Sequence, residues 1–369
     1  MKILFLISKL HYSGAPKMMA WIANQMAARG HRVTLISMYD RDNSQQLSPA
    51  VTLRLLGRHK SKSRLARNTV DLAGTLHAIR QCVREEQPDV VVSFLDAAGS
   101  MFLPLNFFFG STPVLASERV DPSARKGGLL GWFRHRLLRF ADGIVFQTEG
   151  ARAFYAFDAR IQAKSRVIPN PVLLQPGQLC QPVPFSQRDN RMVSVGRLTM
   201  KQKRYDVMLD AFLLVYRARP ELRLEIYGDG KDAALVRQMI AARGLENAVS
   251  LMGKTEDVFG ALRRARAFVI TSDYEGIPNS LIEAMSFGVP AVATDCSPGG
   301  ARLLVEHEVN GLLAPCGDAA AIARGLLRLA EDEALSNRIA QNAIQIAEKF
   351  PEGPIADQWE QALLELTDL

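Results

Sequence analysis

FVITSDYEGIPNSLIEAMSFGVPAVATDCSPGG, residues 268–300, decides how the rest of the chain is read. It opens on an apolar run, Phe268-Val269-Ile270, the pattern of a strand buried on both faces. A loop containing Glu275, Gly276, Pro278 and Asn279 follows. Then comes a helical pattern, Leu281, Ile282, Ala284 and Met285, stopped by Gly288 and Pro290. A second apolar run, 289–293, completes a strand–loop–helix–strand unit. Its loop falls at the carboxyl end of a parallel strand, where open α/β sheets bind ligands.

The chemistry of that loop is legible from its residue types. A helix start after Pro278 offers free backbone N–H groups and the positive end of a helix dipole, both suited to a phosphate. Glu275 and Glu283 flank it, and carboxylates accept hydrogen bonds from hydroxyls such as those of a ribose or a sugar ring. A phosphate with sugars on both sides describes a nucleotide sugar. Two plainer readings stand beside this one. Ser280-x-x-Glu283 is also a capping box, and Glu275 is also a solvated loop acid.

The Glu275-x7-Glu283 spacing within SDYEGIPNSLIEAMSFGVPAVATDC resembles the donor-binding signature of the family 4 retaining glycosyltransferases, which have the two-domain GT-B fold. The resemblance spans nearly the whole chain and is strongest over 193–318. It implies an α/β architecture of two Rossmann-like, doubly wound domains facing across a cleft. These would be an acceptor domain over 1–172 and a donor domain over 173–354, with a last helix, 355–369, returning to the first. It also implies that Glu275 meets the transferred sugar and Glu283 the ribose, with Gly276, Ile277, Pro278, Asn279, Ser280 and Leu281 lining the donor.

At 369 residues the chain is long enough for two domains of ordinary size. Cys82, Cys180, Cys296 and Cys316 have no C-x-x-C spacing and read as reduced thiols in a cytoplasmic protein, with no zinc site. The opening MKILFLIS is too short an apolar stretch for a signal peptide and reads as a first strand. The most apolar later region, 90–109, is interrupted by Asp96, Pro104 and Asn106 and does not read as a membrane span. The net charge of +7 is unevenly placed: 1–172 hold 24 Lys/Arg against 12 Asp/Glu, and 173–369 hold 21 against 26. A basic first half and a mildly acidic second half predict that only the first meets an anionic partner.

Within the first half, 2–8 and 31–37 read as strands around an amphipathic helix, with Gly14 in the intervening loop. Gly14 is a plain turn glycine by spacing, and a donor-loop glycine by the resemblance. Further strands are expected at 90–94, 113–116, 143–147 and 166–168. Asp40-x-Asp42 has metal-binding spacing but lies in a polar run, YDRDNSQQ, and reads as a solvated loop. Ser117-Glu118-Arg119 closes a strand. The resemblance puts Glu118 where the family often carries a histidine near the donor's anomeric carbon. Two basic stretches, 54–67 and 125–140, are candidate membrane contacts, the first as an open loop. The second is alternatively a surface helix with its apolar side on the sheet.

In the second half, 173–190 carry three prolines and read as an interdomain linker. RMVSVG is followed by Arg197, Lys201, Lys203 and Arg204 ahead of a helix at 205–219, a set of cations fit to clamp a phosphate. By the resemblance, Arg197 and Lys203 are the diphosphate ligands, with Lys201 a rival to Lys203. Gly228 and Gly230 are a family feature near the base, Asp318 starts a closing helix, and Trp359, Leu363 and Leu364 form the apolar side of the last one.

The expected enzyme is therefore a retaining glycosyltransferase of hexosyl or N-acetylhexosaminyl type. It would move a sugar from a nucleotide diphosphate sugar, UDP-linked by expectation, to a glycan or a polyprenyl-diphosphate-linked acceptor in surface polysaccharide assembly. It would work without metal or other cofactor, on the cytoplasmic side, peripheral to the membrane. A nucleotide-sugar epimerase on the same fold is the alternative. No motif interleaves aromatic and basic residues for nucleic acid. Gly-x-Gly-x-x-Gly is absent from the first strand–helix turn, which disfavours a dehydrogenase.

Overall fold

In a computed structural model the chain divides into two compact units, Met1–Pro169 with Gly353–Leu369, and Asn170–Glu352. The structure describes all residues except 12–13, 41, 44, 58–69, 96, 126–134, 176, 179–180 and 368–369.

The first unit is built on seven parallel strands: β1 (Lys2–Ile7), β2 (Arg32–Ser37), β3 (Val51–Leu55), β4 (Val90–Phe94), β5 (Val114–Glu118), β6 (Gly143–Phe146) and β7 (Ser165–Val167). Their spatial order is β3-β2-β1-β4-β5-β6-β7. The chain winds outward from β1 in one direction, then returns to β4 and winds the other way. Helices such as Gly14–Ala28 and Val70–Glu86 make the crossovers that parallel pairing requires. The central strands are rich in Val, Ile, Leu and Phe because both faces are covered: every residue of β4 and β5 is buried, Ser93, Ser117 and Glu118 included.

Sequence pattern alone missed β3. Arg54 belongs to this edge strand and pairs with Glu85 and Glu86 at 2.8 and 2.9 Å, so it is no part of an open basic loop. The other cations of the expected 54–67 contact, from Arg58 onward, lie outside the described residues. Of the basic stretch 125–140, residues 126–134 also lie outside them. The described end is helical at 135–138 and buries Leu138 in the sheet's core. There His135 Nε2 and Arg139 Nε both reach Asp158 Oδ2 at 2.7 Å. Two of the basic side chains expected to face outward are thus held by an internal carboxylate. Burial works against the Asp158 charge, but the hydrogen bonds from Arg139 and His135 outweigh it and bring its pKa down to about 2.

The last helix, Glu352–Thr367, buries Ile355, Trp359, Leu363 and Leu366, while Leu364 faces outward. It is fastened by ion pairs from Arg29 to Asp357 and Glu360 and from Arg166 to Glu365, and by a hydrogen bond between His31 and Glu360.

The second unit has six parallel strands: β8 (Arg191–Val195), β9 (Arg223–Tyr227), β10 (Val249–Gly253), β11 (Ala267–Ile270), β12 (Ala291–Thr294) and β13 (Leu312–Ala314). The order is β10-β9-β8-β11-β12-β13. Its direction of winding reverses between β8 and β11. The helices Tyr205–Ala218 and Ala319–Glu331 supply much of its apolar core, and Asp318 caps the second by accepting from Ala321 N at 2.8 Å. The proline-rich stretch expected to link the domains is strapped to this unit. Arg188 donates to Val183 O and Gly288 O, and Arg266 donates to Phe185 O and Arg188 O.

Candidate donor site

Strand order reverses between β8 and β11, and it is beyond the carboxyl ends of the strands at such a switch point, in the crevice there, that doubly wound sheets take ligands. The loop after β8 carries Arg197 to Lys203, and the loop after β11 carries Ser272 to Asn279. The structure joins them at one ion pair: Lys203 Nζ lies 2.6 Å from Glu275 Oε1, both side chains being nearly nine-tenths covered. Glu275 also accepts from Ser272 Oγ at 2.8 Å and Gln202 Nε2 at 3.2 Å. A carboxylate held by three donors has a fixed direction, and so does the ammonium it meets. Lys201, two residues earlier in the short helix Met200–Lys203, is exposed, whereas Lys203 is largely covered. Arg197 is also exposed.

Neighbouring segments hold this arrangement. Thr294 Oγ1 donates to Ser272 O at 2.6 Å, and Glu275 N donates to Ser297 O at 3.0 Å. The Tyr205 hydroxyl, buried under the turn after β8, donates to Gly196 O at 3.3 Å. Burial, and then the Glu275 charge, pushes that phenol well above its usual pKa. Burial and Glu275 also push the Cys296 thiol up, so it stays protonated and is no nucleophile at neutral pH.

Glycines allow the backbones to close in. Gly228 has φ +139°, and a Cβ there would stand 1.9 Å from Gly196 O; one on Gly230 would stand 2.3 Å from Leu198 O. These two glycines let the turn after β9 lie against the turn after β8. Gly300 is pressed in the same way against Gly276, at 1.6 Å from its carbonyl oxygen to an added Cβ.

The helix Asn279–Ser286 starts two residues earlier than the capping-box reading requires. Its N-cap is Pro278, whose side chain makes no capping hydrogen bond, and Ser280 is already inside the first turn. The capping box, which would make Ser280 the N-cap, is therefore not formed: Pro278 holds that place, and its ring has no oxygen to cap with. Ile277, Pro278 and Leu281 are buried beneath it. Asn279 Oδ1 accepts from the buried Asn170 Nδ2 at 2.6 Å. Glu283 is half-buried, one turn into the helix.

Gly14 and Glu118 belong to the first unit. Gly14 begins the helix after β1, and Glu118 ends β5, 1% exposed. Asp40 is not a free metal ligand: it accepts from Leu10 N and Ser37 Oγ. Among the described residues no group of three or more His, Cys, Asp or Glu side chains could hold a metal ion.

Two doubly wound parallel sheets, the second with a phosphate-ready helix start and a lysine–glutamate pair at its switch point, define a glycosyltransferase of the GT-B class. Residues 13–171 match the family described as Glycosyl transferase 4-like domain, and residues 180–346 match Glycosyl transferases group 1. The chain belongs to the family 4 glycosyltransferases. Among curated proteins it is 23% identical, over 99% of both chains, to a Campylobacter jejuni enzyme named GalNAc-alpha-(1->4)-GalNAc-alpha-(1->3)-diNAcBac-PP-undecaprenol alpha-1,4-N-acetyl-D-galactosaminyltransferase. It shares the fold of Anabaena HepE in complex with UDP and glucose, with TM-score 0.77, 20% identity, and coverage of 99% of this chain and 100% of that one. It also shares the fold of Staphylococcus aureus TarM in complex with UDP, with TM-score 0.80, 15% identity, and coverage of 98% and 99%. Among the described residues no helix is long and apolar enough to cross a membrane.

Proposed function

We propose that this glycosyltransferase takes a UDP-sugar in the crevice between β8 and β11 and transfers the sugar, with retention at the anomeric carbon, to a lipid-linked glycan. The Lys203–Glu275 pair at the switch point carries the proposal. As the sugar leaves, negative charge grows on the diphosphate. Lys203, Arg197 and the positive N-terminal end of the helix Asn279–Ser286 are the groups suited to stabilise it, and they need no metal to do so. Glu275 is assigned to the hydroxyls of the transferred sugar and Glu283 to those of the ribose. Retention rests on the family. No carboxylate pair is assigned as nucleophile and acid.

The donor is read as UDP-linked because structural neighbours hold UDP, and the acceptor as lipid-linked because a full-length relative's name includes an undecaprenol diphosphate. The basic first half supports work at an anionic membrane on its cytoplasmic face, in surface polysaccharide assembly. The test is a thermal-shift screen against UDP-, GDP- and ADP-sugars, followed by turnover of Lys203→Ala and Glu275→Ala. Stabilisation by a UDP-sugar and loss of transfer in both folded variants are expected; near-normal turnover in either defeats the assigned roles. Neutralising Arg58, Lys60, Lys62 and Arg64 should weaken binding to anionic vesicles at low salt, and unchanged binding removes the membrane argument.

A further inference from the structure

Arg204 is the joint of the cationic arm. It is the C-cap of the short helix Met200–Lys203 and the N-cap of the helix Tyr205–Ala218, with left-handed backbone angles of φ 47° and ψ 54°. A side chain is disfavoured there because its Cβ crowds the next carbonyl, and glycine is the usual solution. The guanidinium explains what a side chain gains at this point. Its Nη1 meets the two Asp273 oxygens at 3.0 and 2.9 Å, while Nε and Nη2 meet the Asp206 carboxylate at 2.9 to 3.1 Å. A planar fork engaged by two carboxylates cannot rotate without breaking charge-assisted bonds.

Those carboxylates tie together two segments that are distant in sequence. Asp206 lies in the first turn of Arg204's own helix, whereas Asp273 lies two residues ahead of Glu275. The backbone repeats the connection: Asp273 N donates to Gln202 O at 2.9 Å, and Thr271 Oγ1 donates to Lys203 O at 2.8 Å. Residues 202–204 are thereby stitched to 271–275 at every step, with Lys203 in the middle.

The geometry points to Arg204, clasping Asp273, as a positioning residue that sets where the Lys203 ammonium stands for a donor diphosphate. It rests on the donor reading above and requires no contact between Arg204 and the donor. A lysine side chain has four rotatable carbons and is aimed only when its backbone is fixed and its tip has a partner. Releasing the clasp frees both, because the loop that carries Glu275 and the arm that carries Lys203 lose their common anchor.

The experiment compares nucleoside diphosphate with nucleoside. Affinities for UDP and uridine, with GDP and ADP and their nucleosides in parallel, are measured by calorimetry on the full chain. The variants are Lys203→Ala, Arg204→Gly, Asp273→Asn and the double variant Arg204→Gly/Asp273→Asn. Glycine relieves the left-handed backbone, and asparagine keeps the shape of aspartate, so the losses reflect the ion pair. Arg204→Gly and Asp273→Asn should each lower diphosphate affinity about tenfold, the cost of a charge-assisted contact, and leave nucleoside affinity unchanged. The double variant should be no worse than either single one, because both remove the same clasp. If Lys203→Ala keeps the wild-type preference for diphosphate, the donor reading falls and this inference with it. If Lys203→Ala loses that preference while Arg204→Gly and Asp273→Asn keep it, the positioning role alone is wrong. Equal loss of nucleoside and diphosphate affinity also overturns it, because Arg204 would then only be holding the fold. Should Arg204→Gly fail to fold, Asp273→Asn decides by the same comparison.

Discussion

Gly299 and Gly300 are adjacent, yet alanine should act at each by a different route. At Gly300 an added Cβ would stand 1.6 Å from the Gly276 carbonyl oxygen, 2.8 Å from its carbon and 3.1 Å from Ile277 Cα. A carbon–oxygen contact of this kind settles at roughly 3.3–3.6 Å, so the two backbones must part by about 1.7 Å. Every atom in the way is backbone, and no side chain can swing aside. Gly276 directly follows Glu275, so the donor loop takes the displacement. Overpacking of this kind costs about 1–3 kcal/mol, with a melting point lowered by about 2–4 °C for each. A displacement of about 1 Å at a reacting centre is worth on the order of 10²-fold in rate. Gly299 has φ +93° with nothing within 4 Å of an added Cβ. Alanine there meets backbone strain of about 1–2 kcal/mol but pushes on nothing. The two variants should therefore melt at similar temperatures, while Gly300→Ala loses about two orders of magnitude in donor turnover and Gly299→Ala keeps most of it. Steady-state transfer and circular-dichroism melting measure both. Equal turnover in the pair would refute the claim that the loop's position, set by Gly300, controls the reaction.

Asp158→Asn should lower the melting point of the first unit at neutral pH. Because the folded pKa is about 2, below the unfolded value of about 3.9, the carboxylate's stabilisation is full above that range. It is lost as pH falls through about 2, so the gap between wild type and variant should narrow from pH 4 downward in melting curves. Asp318→Ala removes the cap on Ala321 N and should cost about 1 kcal/mol, seen as a lower denaturation midpoint with unchanged turnover. Transfer should continue in excess EDTA; a strict requirement for Mg²⁺ would reopen the question of Asp40 and Asp42.

The apolar runs of the central strands were plain in the sequence because a parallel sheet covered on both sides leaves no alternation to confuse the reading. Edge strand β3 was not, since VTLRL carries a cation whose partners, Glu85 and Glu86, lie on a helix some thirty residues later. The segments forming the donor crevice were likewise visible as charged loops after strands. Their atomic pairing was not: spacing alone does not separate Lys201 from Lys203, and the short helix that carries both, one paired with Glu275 and the other exposed, has only four residues. The capping box was a local pattern overridden by Asn279 entering the helix first. Arg204 reads in the sequence only as one more cation of the 197–204 run, because nothing in its neighbours marks a left-handed arginine before its two carboxylates are seen around it.

The last helix has a further consequence, for biosynthesis. Gly353–Leu369 belongs to the first unit, but a ribosome makes it only after the whole of Asn170–Glu352. Until then the surface that receives Trp359 and Leu363 stays bare on the nascent chain, an exposure of the kind that favours misassembly and chaperone engagement. The half translated first thus cannot complete its fold until the other half has been made.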